Sequence, residues 1–147
     1  MDGSGPFFGA ASCFKAKASD SENVALLRIV RDVDRSAALF AHACATVSRV
    51  DPRTLPTDTR RFVDELARRA QQVFARGVEA WRRRDALALA EVDDLDELVD
   101  RLQEQLYREL SDRFGAGDEP MTLGLLTRYL ERIADHGVAI ARDTSFF

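Results

Sequence analysis

Residues Met121 to Phe147, MTLGLLTRYLERIADHGVAIARDTSFF, decide the fold class. Their apolar positions Leu123, Leu126, Leu130, Ile133, Gly137 and Ile140 recur at alternating steps of three and four, the period of one buried face of an α-helix. Glu131 and Asp135 stand beside that face. They lie about one helical turn apart, so both carboxylates can address a single neighbour. A metal ion, an arginine and water are the three candidates for that neighbour.

The same period runs through the rest of the chain. Ser19-x-x-Glu22 forms a capping box ahead of a first helix over about residues 21–50, roughly 45 Å long at 1.5 Å per residue. Leu26, Val30, Val33, Ala37, Phe40, Cys44 and Val47 mark its expected core stripe. Asp51-Pro52 ends it, and Pro56-Thr57-Asp58 opens a second helix over about 57–83. That helix is expected to bury Val63, Leu66, Ala70, Val73, Gly77 and Ala80, with Phe62, Phe74 and Trp81 widening the face. A break at Arg84-Asp85 precedes a third helix over about 86–114, with Leu87, Val92, Leu95, Val99, Leu102, Leu106, Leu110 and Phe114 inward. Gly115-Ala-Gly117 stops it, and Asp118-Glu119-Pro120 starts the fourth helix, whose body covers about 121–145. No strand pattern occurs and the connections are short. The expectation is an all-α, antiparallel four-helix up-and-down bundle over residues 21–147, behind a Gly/Ser/Ala-rich flexible leader at 1–20.

Composition limits the function classes. The 147 residues suit one domain with a real core, and 46% hydrophobic with 31% charged residues is a soluble, helix-favouring mixture. A formal charge of −4 argues against a general nucleic-acid binder, for which a basic excess is expected. No apolar run reaches the roughly 20 residues of a membrane span, and the N-terminus lacks the basic-then-apolar order of a signal peptide. A cytoplasmic protein is expected. Cys13 and Cys44 are too few for a disulfide framework; Cys44 reads as a small core residue and Cys13 as a free thiol in the leader.

Charge is unevenly distributed. The second helix carries Arg60, Arg61, Arg68, Arg69, Arg76 and Arg82-Arg83-Arg84, while the third carries Glu91, Asp93, Asp94, Asp96, Glu97, Asp100 and Glu104. Like charges at helical spacing repel by a few tenths of a kcal/mol per pair, so that acidity costs helix stability unless cations answer it. The basic stripe reads as a solvated face partly paired with its acidic neighbour. Asp96 and Asp100 repeat the four-residue spacing of Glu131 and Asp135 on the helix that should lie antiparallel beside them. Four facing carboxylates cannot all stay ionised without cations, and either an oxygen-bound metal or nearby arginines would supply them.

Two motifs carry a family resemblance. Leu130-Glu-Arg-Ile-Ala-Asp135-His136-Gly-Val-Ala-Ile140-Ala141 resembles the closing helix of a PhoU repeat, Glu-Arg-Ile-Gly-Asp-His-Ala-x-x-Ile-Ala, and Asp96-Glu-Leu-Val-Asp100-Arg-Leu102 resembles the Asp-x-x-x-Asp-x-Leu of the helix before it. The family is built from two three-helix repeats. The resemblance implies that Asp96, Asp100, Glu131 and Asp135 hold a divalent or trivalent metal: iron, manganese or magnesium. Leu26 to Arg35 looks like the closing helix of the other repeat and aligns Asp34 with Glu131, Arg35 with Arg132 and Arg31 with Arg128. Ala38 falls where Asp135 would, so one metal site is expected and not two. His42 aligns with Ala139 and is read as an ordinary helix residue, while His136 has a family counterpart that fits packing or solvent equally. The resemblance spans about Asn23 to Arg142, one repeat plus one helix of another, and residues 1–20 are too few to supply the two further helices. The first helix would then lack partners, and a homodimer is expected to cover its stripe.

The resemblance further implies a regulator of phosphate uptake and phosphate-starvation transcription, acting by contact with a phosphate-specific ABC transporter and a sensor histidine kinase. An enzyme is disfavoured on the residues, since the chain has no Glu-x-x-His, nucleophile motif or Gly-rich phosphate loop. A plain helical scaffold with solvated acids is the remaining alternative.

Overall fold

The computed structural model describes residues 19–114 and 117–147, the Phe114 side chain excepted. Residues 1–18 of the expected leader, Cys13 and the Gly115-Ala116 part of the helix stop lie outside the described residues. The helices are α1 (Asp20–Val47), α2 (Thr57–Arg83), α3 (Leu89–Phe114) and α4 (Asp118–Asp143), with single 3-10 turns at Ala86–Ala88 and Thr144–Phe146. Among the described residues there is no strand, so the protein is an all-α helical bundle.

Local chemistry explains the helix ends. At the start of α1 the Ser19 hydroxyl accepts from the Glu22 N–H while the Glu22 carboxylate accepts from the Ser19 N–H, a reciprocal cap worth about 1 kcal/mol. Pro56 precedes α2, where its missing N–H costs nothing. Arg84 ends α2 in the left-handed region at φ 55°, and the Arg84 and Asp85 N–H groups return to carbonyls of the last turn. Asp85 then caps the 3-10 turn by accepting from the Leu87 N–H at 3.2 Å.

Helix α4 lies at the centre and packs against α1, α2 and α3. Chain direction alternates along the order α1 to α4. Arg28 meets Asp143, Ser36 meets His136 and His42 meets Tyr129, so α1 and α4 run antiparallel. Asp58 meets Arg113 and Arg76 meets Glu91, which makes α2 and α3 antiparallel. The packing departs from a square bundle in one respect. Helices α2 and α4, parallel and not consecutive, press together, whereas α1 rests on α4 and the closing turn with an open groove between it and α2. Gly77 and Gly137 permit the close α2–α4 approach: a Cβ on Gly77 would overlap the Gly137 carbonyl oxygen, and one on Gly137 would lie 2.6 Å from Phe74 Cα.

The core follows the expected stripes on α2 and α4. Leu66, Ala70, Val73, Gly77 and Ala80 are buried against Leu123, Leu126, Leu130 and their neighbours, and Val92, Val99, Leu106 and Leu110 of α3 complete the cluster. Leu87 is a correction: it belongs to the 3-10 turn and is 90% exposed, because the helix that would turn it inward begins only at Leu89.

Helix α1 is the larger correction. The expected stripe of Leu26, Val30, Val33, Ala37, Phe40, Cys44 and Val47 faces out, with Phe40 63% exposed, and Cys44 is not a core residue. The buried face is instead Ala25, Ile29, Asp32, Ser36, Ala43 and Thr46. Small side chains let α1 sit close on α4, and no described element covers the bulkier face beside them. The basic surface of α2 is likewise satisfied mostly from within: Arg68 and Arg69 pair with Glu65, and Arg82 and Arg83 with Glu79. Among the described residues, Arg76 is the one of these arginines that pairs with α3, at Glu91.

Filling the α2–α4 contact should be costly, since overpacking a tight core typically loses about 1–3 kcal/mol. Gly137→Ala is expected to lower the thermal midpoint by about 3 °C or more in a circular-dichroism melt, whereas Gly124→Ala, whose added Cβ meets only ordinary contacts inside α4, is expected to leave it unchanged or raise it by a few degrees through the better helix propensity of alanine.

Candidate functional site

The four candidate ligands lie on the face shared by α3 and α4. Asp96 and Glu131 are half-buried there, with Asp100 and Asp135 exposed beside them. Burial is the main cause that pushes the Asp96 carboxyl up to about 6, and Asp100, Asp135, Asp93 and Glu131 add to it. Glu131 is raised by burial first and by Asp135 next; Arg128 and Arg132 oppose the shift, and Asp100 adds to it. The acid pairs of the two antiparallel helices therefore share one electrostatic field.

Their countercharges are few. Arg128 donates to Glu131 at 2.8 Å, and Asp96, Asp100 and Asp135 have no ion pair among the described residues. Three or more His, Cys, Asp or Glu side chains do not converge closely enough to enclose a metal ion among the described residues. The arrangement is a half-buried negative face with an arginine already on one of its members.

The α1–α4 seam holds a polar cluster that the apolar pattern hid. Asp32 and His136 are 2% and 8% exposed, and the Ser36 hydroxyl lies 2.8 Å from His136 Nδ1. Ser36 Oγ donates to the Asp32 carbonyl at 2.7 Å, so its remaining role toward His136 is acceptor and Nδ1 carries the proton. Burial holds the His136 imidazole below its ordinary range; Arg132 and Arg35 add to this, and Asp32 and Asp135 oppose it. Arg31 holds Asp32 Oδ1 at 2.8 Å, leaving Oδ2 without a protein partner. Ser, His and Asp are the residue types of a hydrolytic triad, but the connectivity differs. A nucleophilic serine gives its proton to the imidazole, whereas this one gives it to the backbone. The signal in the sequence was the i, i+4 pair Asp32 and Ser36 on the small-residue face of α1.

The raised Asp96 carboxyl generates a pH test. An acid raised from 3.8 to about 6 in the folded state retains a proton that the unfolded chain releases, so its contribution to stability is present below about pH 4 and lost as pH rises through 6. Asp96→Asn removes that loss. It is expected to raise the thermal midpoint by about 3 °C at pH 7.5 and to change it little at about pH 3.5, below the unfolded-state value; an equal effect at both pH values would contradict the assignment.

Comparison with known proteins matches residues 63–144 to the PhoU domain. The phosphate-specific transport system accessory protein PhoU homolog 1 of Mycobacterium leprae (strain TN) is 31% identical over 127 residues, which cover 84% of this chain and 57% of that relative. PhoU homolog 2 of Mycobacterium tuberculosis (strain ATCC 25618 / H37Rv) is 30% identical, covering 84% of this chain and 59% of the relative. The homolog of Synechocystis sp. (strain ATCC 27184 / PCC 6803 / Kazusa) is 26% identical over 83% of this chain and 55% of its own length. The chain thus spans a little over half the length of these relatives, and no solved structure matches it significantly. With more than half of its residues inside the matched segment, and with both acid pairs there, the chain belongs to the PhoU domain family.

Proposed function

We propose that the protein is a cytoplasmic accessory regulator of phosphate uptake and of phosphate-starvation transcription. It acts by contact with a phosphate-specific ABC transporter and a sensor histidine kinase, and not as an enzyme. The observation that carries this reading is the similarity, over 84% of the chain, to proteins named as accessory to phosphate-specific transport. Two structural facts support it. No described helix is long and apolar enough to cross a membrane, which suits an accessory component. The Ser36–His136 contact has the polarity of a structural bond. Deletion of the gene is expected to raise expression of phosphate-starvation genes several-fold in phosphate-rich medium; unchanged expression counts against the role.

By residue type the α3–α4 carboxylates suit a hard cation such as iron, manganese or magnesium, and they would have to draw together from their present spacing to enclose one. Asp96, Asp100, Glu131 and Asp135 would hold it, and its charge would relieve the burial and repulsion that raise Asp96. Glu131 would exchange its bond to Arg128 for the metal. The cation's part would be structural, tying α3 to α4. Elemental analysis after metal loading is expected to find about one tightly held ion per chain, lost in Asp96→Ala/Glu131→Ala. Equal metal content in both proteins favours a plain scaffold.

The exposed α1 face fits a homodimer. Val24 to Val47 spans about 35 Å of helix, with Leu27, Val30 and Phe40 more than half exposed, and an apolar groove runs beside it toward Phe74 and Ile133. A second copy presents the same face, as a two-fold interface requires. Light scattering is expected to give twice the 16.4 kDa chain mass for the wild type and the single mass for Phe40→Glu. A monomeric wild type would assign the groove to other helices.

A further inference from the structure

The seam between α1 and α4 also carries a positive feature that neither the carboxylate face nor the polar cluster uses. Arg35, Ala38 and His42 of α1 and Arg128, Tyr129 and Arg132 of α4 line one open cleft of about 530 Å³, with the His136 ring at its wall. No carboxylate lines it. Arg35 and Arg132 have no ion pair among the described residues, and Arg128 gives one terminal nitrogen to Glu131 at 2.8 Å and keeps the other. The neighbouring acids are directed elsewhere: Asp32 is held by Arg31 and Asp143 by Arg28, while Asp34 and Asp135 are exposed outside the lining.

Arg35 stands on α1 and Arg132 on α4, and between them the lining contributes Ala38 and no acid. The antiparallel packing turns both arginines into the same cleft. Ala38 contributes a small methyl and no charge to the lining, which leaves room between the two arginines. Three guanidinium groups around one cavity repel one another unless an anion joins them. Their planar forks suit an oxyanion with several acceptors, and arginine is the preferred residue for bidentate recognition of that class.

We propose that this cleft binds a phosphate-type oxyanion, free or as the end group of a small ester, with Arg35 and Arg132 gripping it from opposite helices and Arg128 adding its free nitrogen. The inference stands on the cleft and not on the regulatory role, so it is tested on the isolated full chain. Protein stripped of metal and dialysed into low salt is titrated calorimetrically with inorganic phosphate and, separately, with phenyl phosphate. The wild type is expected to bind at least one of them at millimolar concentration or below. Tighter binding of phosphate identifies the free ion as ligand, and tighter binding of the ester identifies the end group. Arg35→Gln/Arg132→Gln is expected to weaken binding at least about tenfold with unchanged helicity, whereas Arg101→Gln on α3 leaves it unchanged. If the double variant loses helicity, Arg35→Lys decides: it keeps the charge, loses the fork, and is expected to bind severalfold more weakly. Absence of binding heat with both ligands, or equal affinity in wild type and Arg35 variants, overturns the proposal.

Discussion

The close approach of α2 and α4 at Gly77 and Gly137 is the constraint on which the rest of the arrangement depends. Two helices that would be diagonal partners in a square bundle are drawn into contact because neither presents a side chain there. With the diagonal closed, α3 completes a triangle with them and α1 is left to α4 and the closing turn. This geometry makes α4 the helix that meets all others, buried at Leu126, Thr127, Leu130, Ala134, Val138 and Ala141.

Its seams with α3 and α1 divide the electrostatics of α4. Toward α3 it offers Glu131 and Asp135, which join Asp96 and Asp100 in a negative face where burial first, and the neighbouring acids next, raise Asp96 and Glu131. Toward α1 it offers Arg128 and Arg132, which join Arg35 in a positive cleft. Arg128 bridges the two regions through Glu131. A helix carrying acid and base at successive positions in one motif can sort them to different neighbours because each step rotates a side chain by about 100°.

Much of the architecture was legible in the chain. The helix boundaries of α2 follow from Pro56 and Arg84-Asp85, and the capping box at Ser19 and Glu22 marks the start of α1. The stripes of α2 and α4 were readable because each is bounded by larger apolar residues on one side and charge on the other. Helix α1 was not readable in the same way. It has two adjacent faces that both repeat at three and four residues, one large and apolar, the other small and partly polar. Periodicity ranks the first as core, since it counts hydrophobicity and not fit. The buried Asp32–Ser36–His136 cluster was hidden for the same reason: polar residues on a helix are read as solvent-facing unless a partner is known, and His136 lies one hundred residues from Ser36.

Sequence alone determined the helical class, the number of helices and their approximate ends, and the spacing of the acid pairs, because each depends on residues within a few turns of one another. Tertiary structure alone decided which face of α1 is buried, which carboxylates share a field and which arginines meet across a seam. Those outcomes depend on interhelical distance, and that distance is set where α2 and α4 touch, at two glycines whose lack of a side chain has meaning only once they face each other.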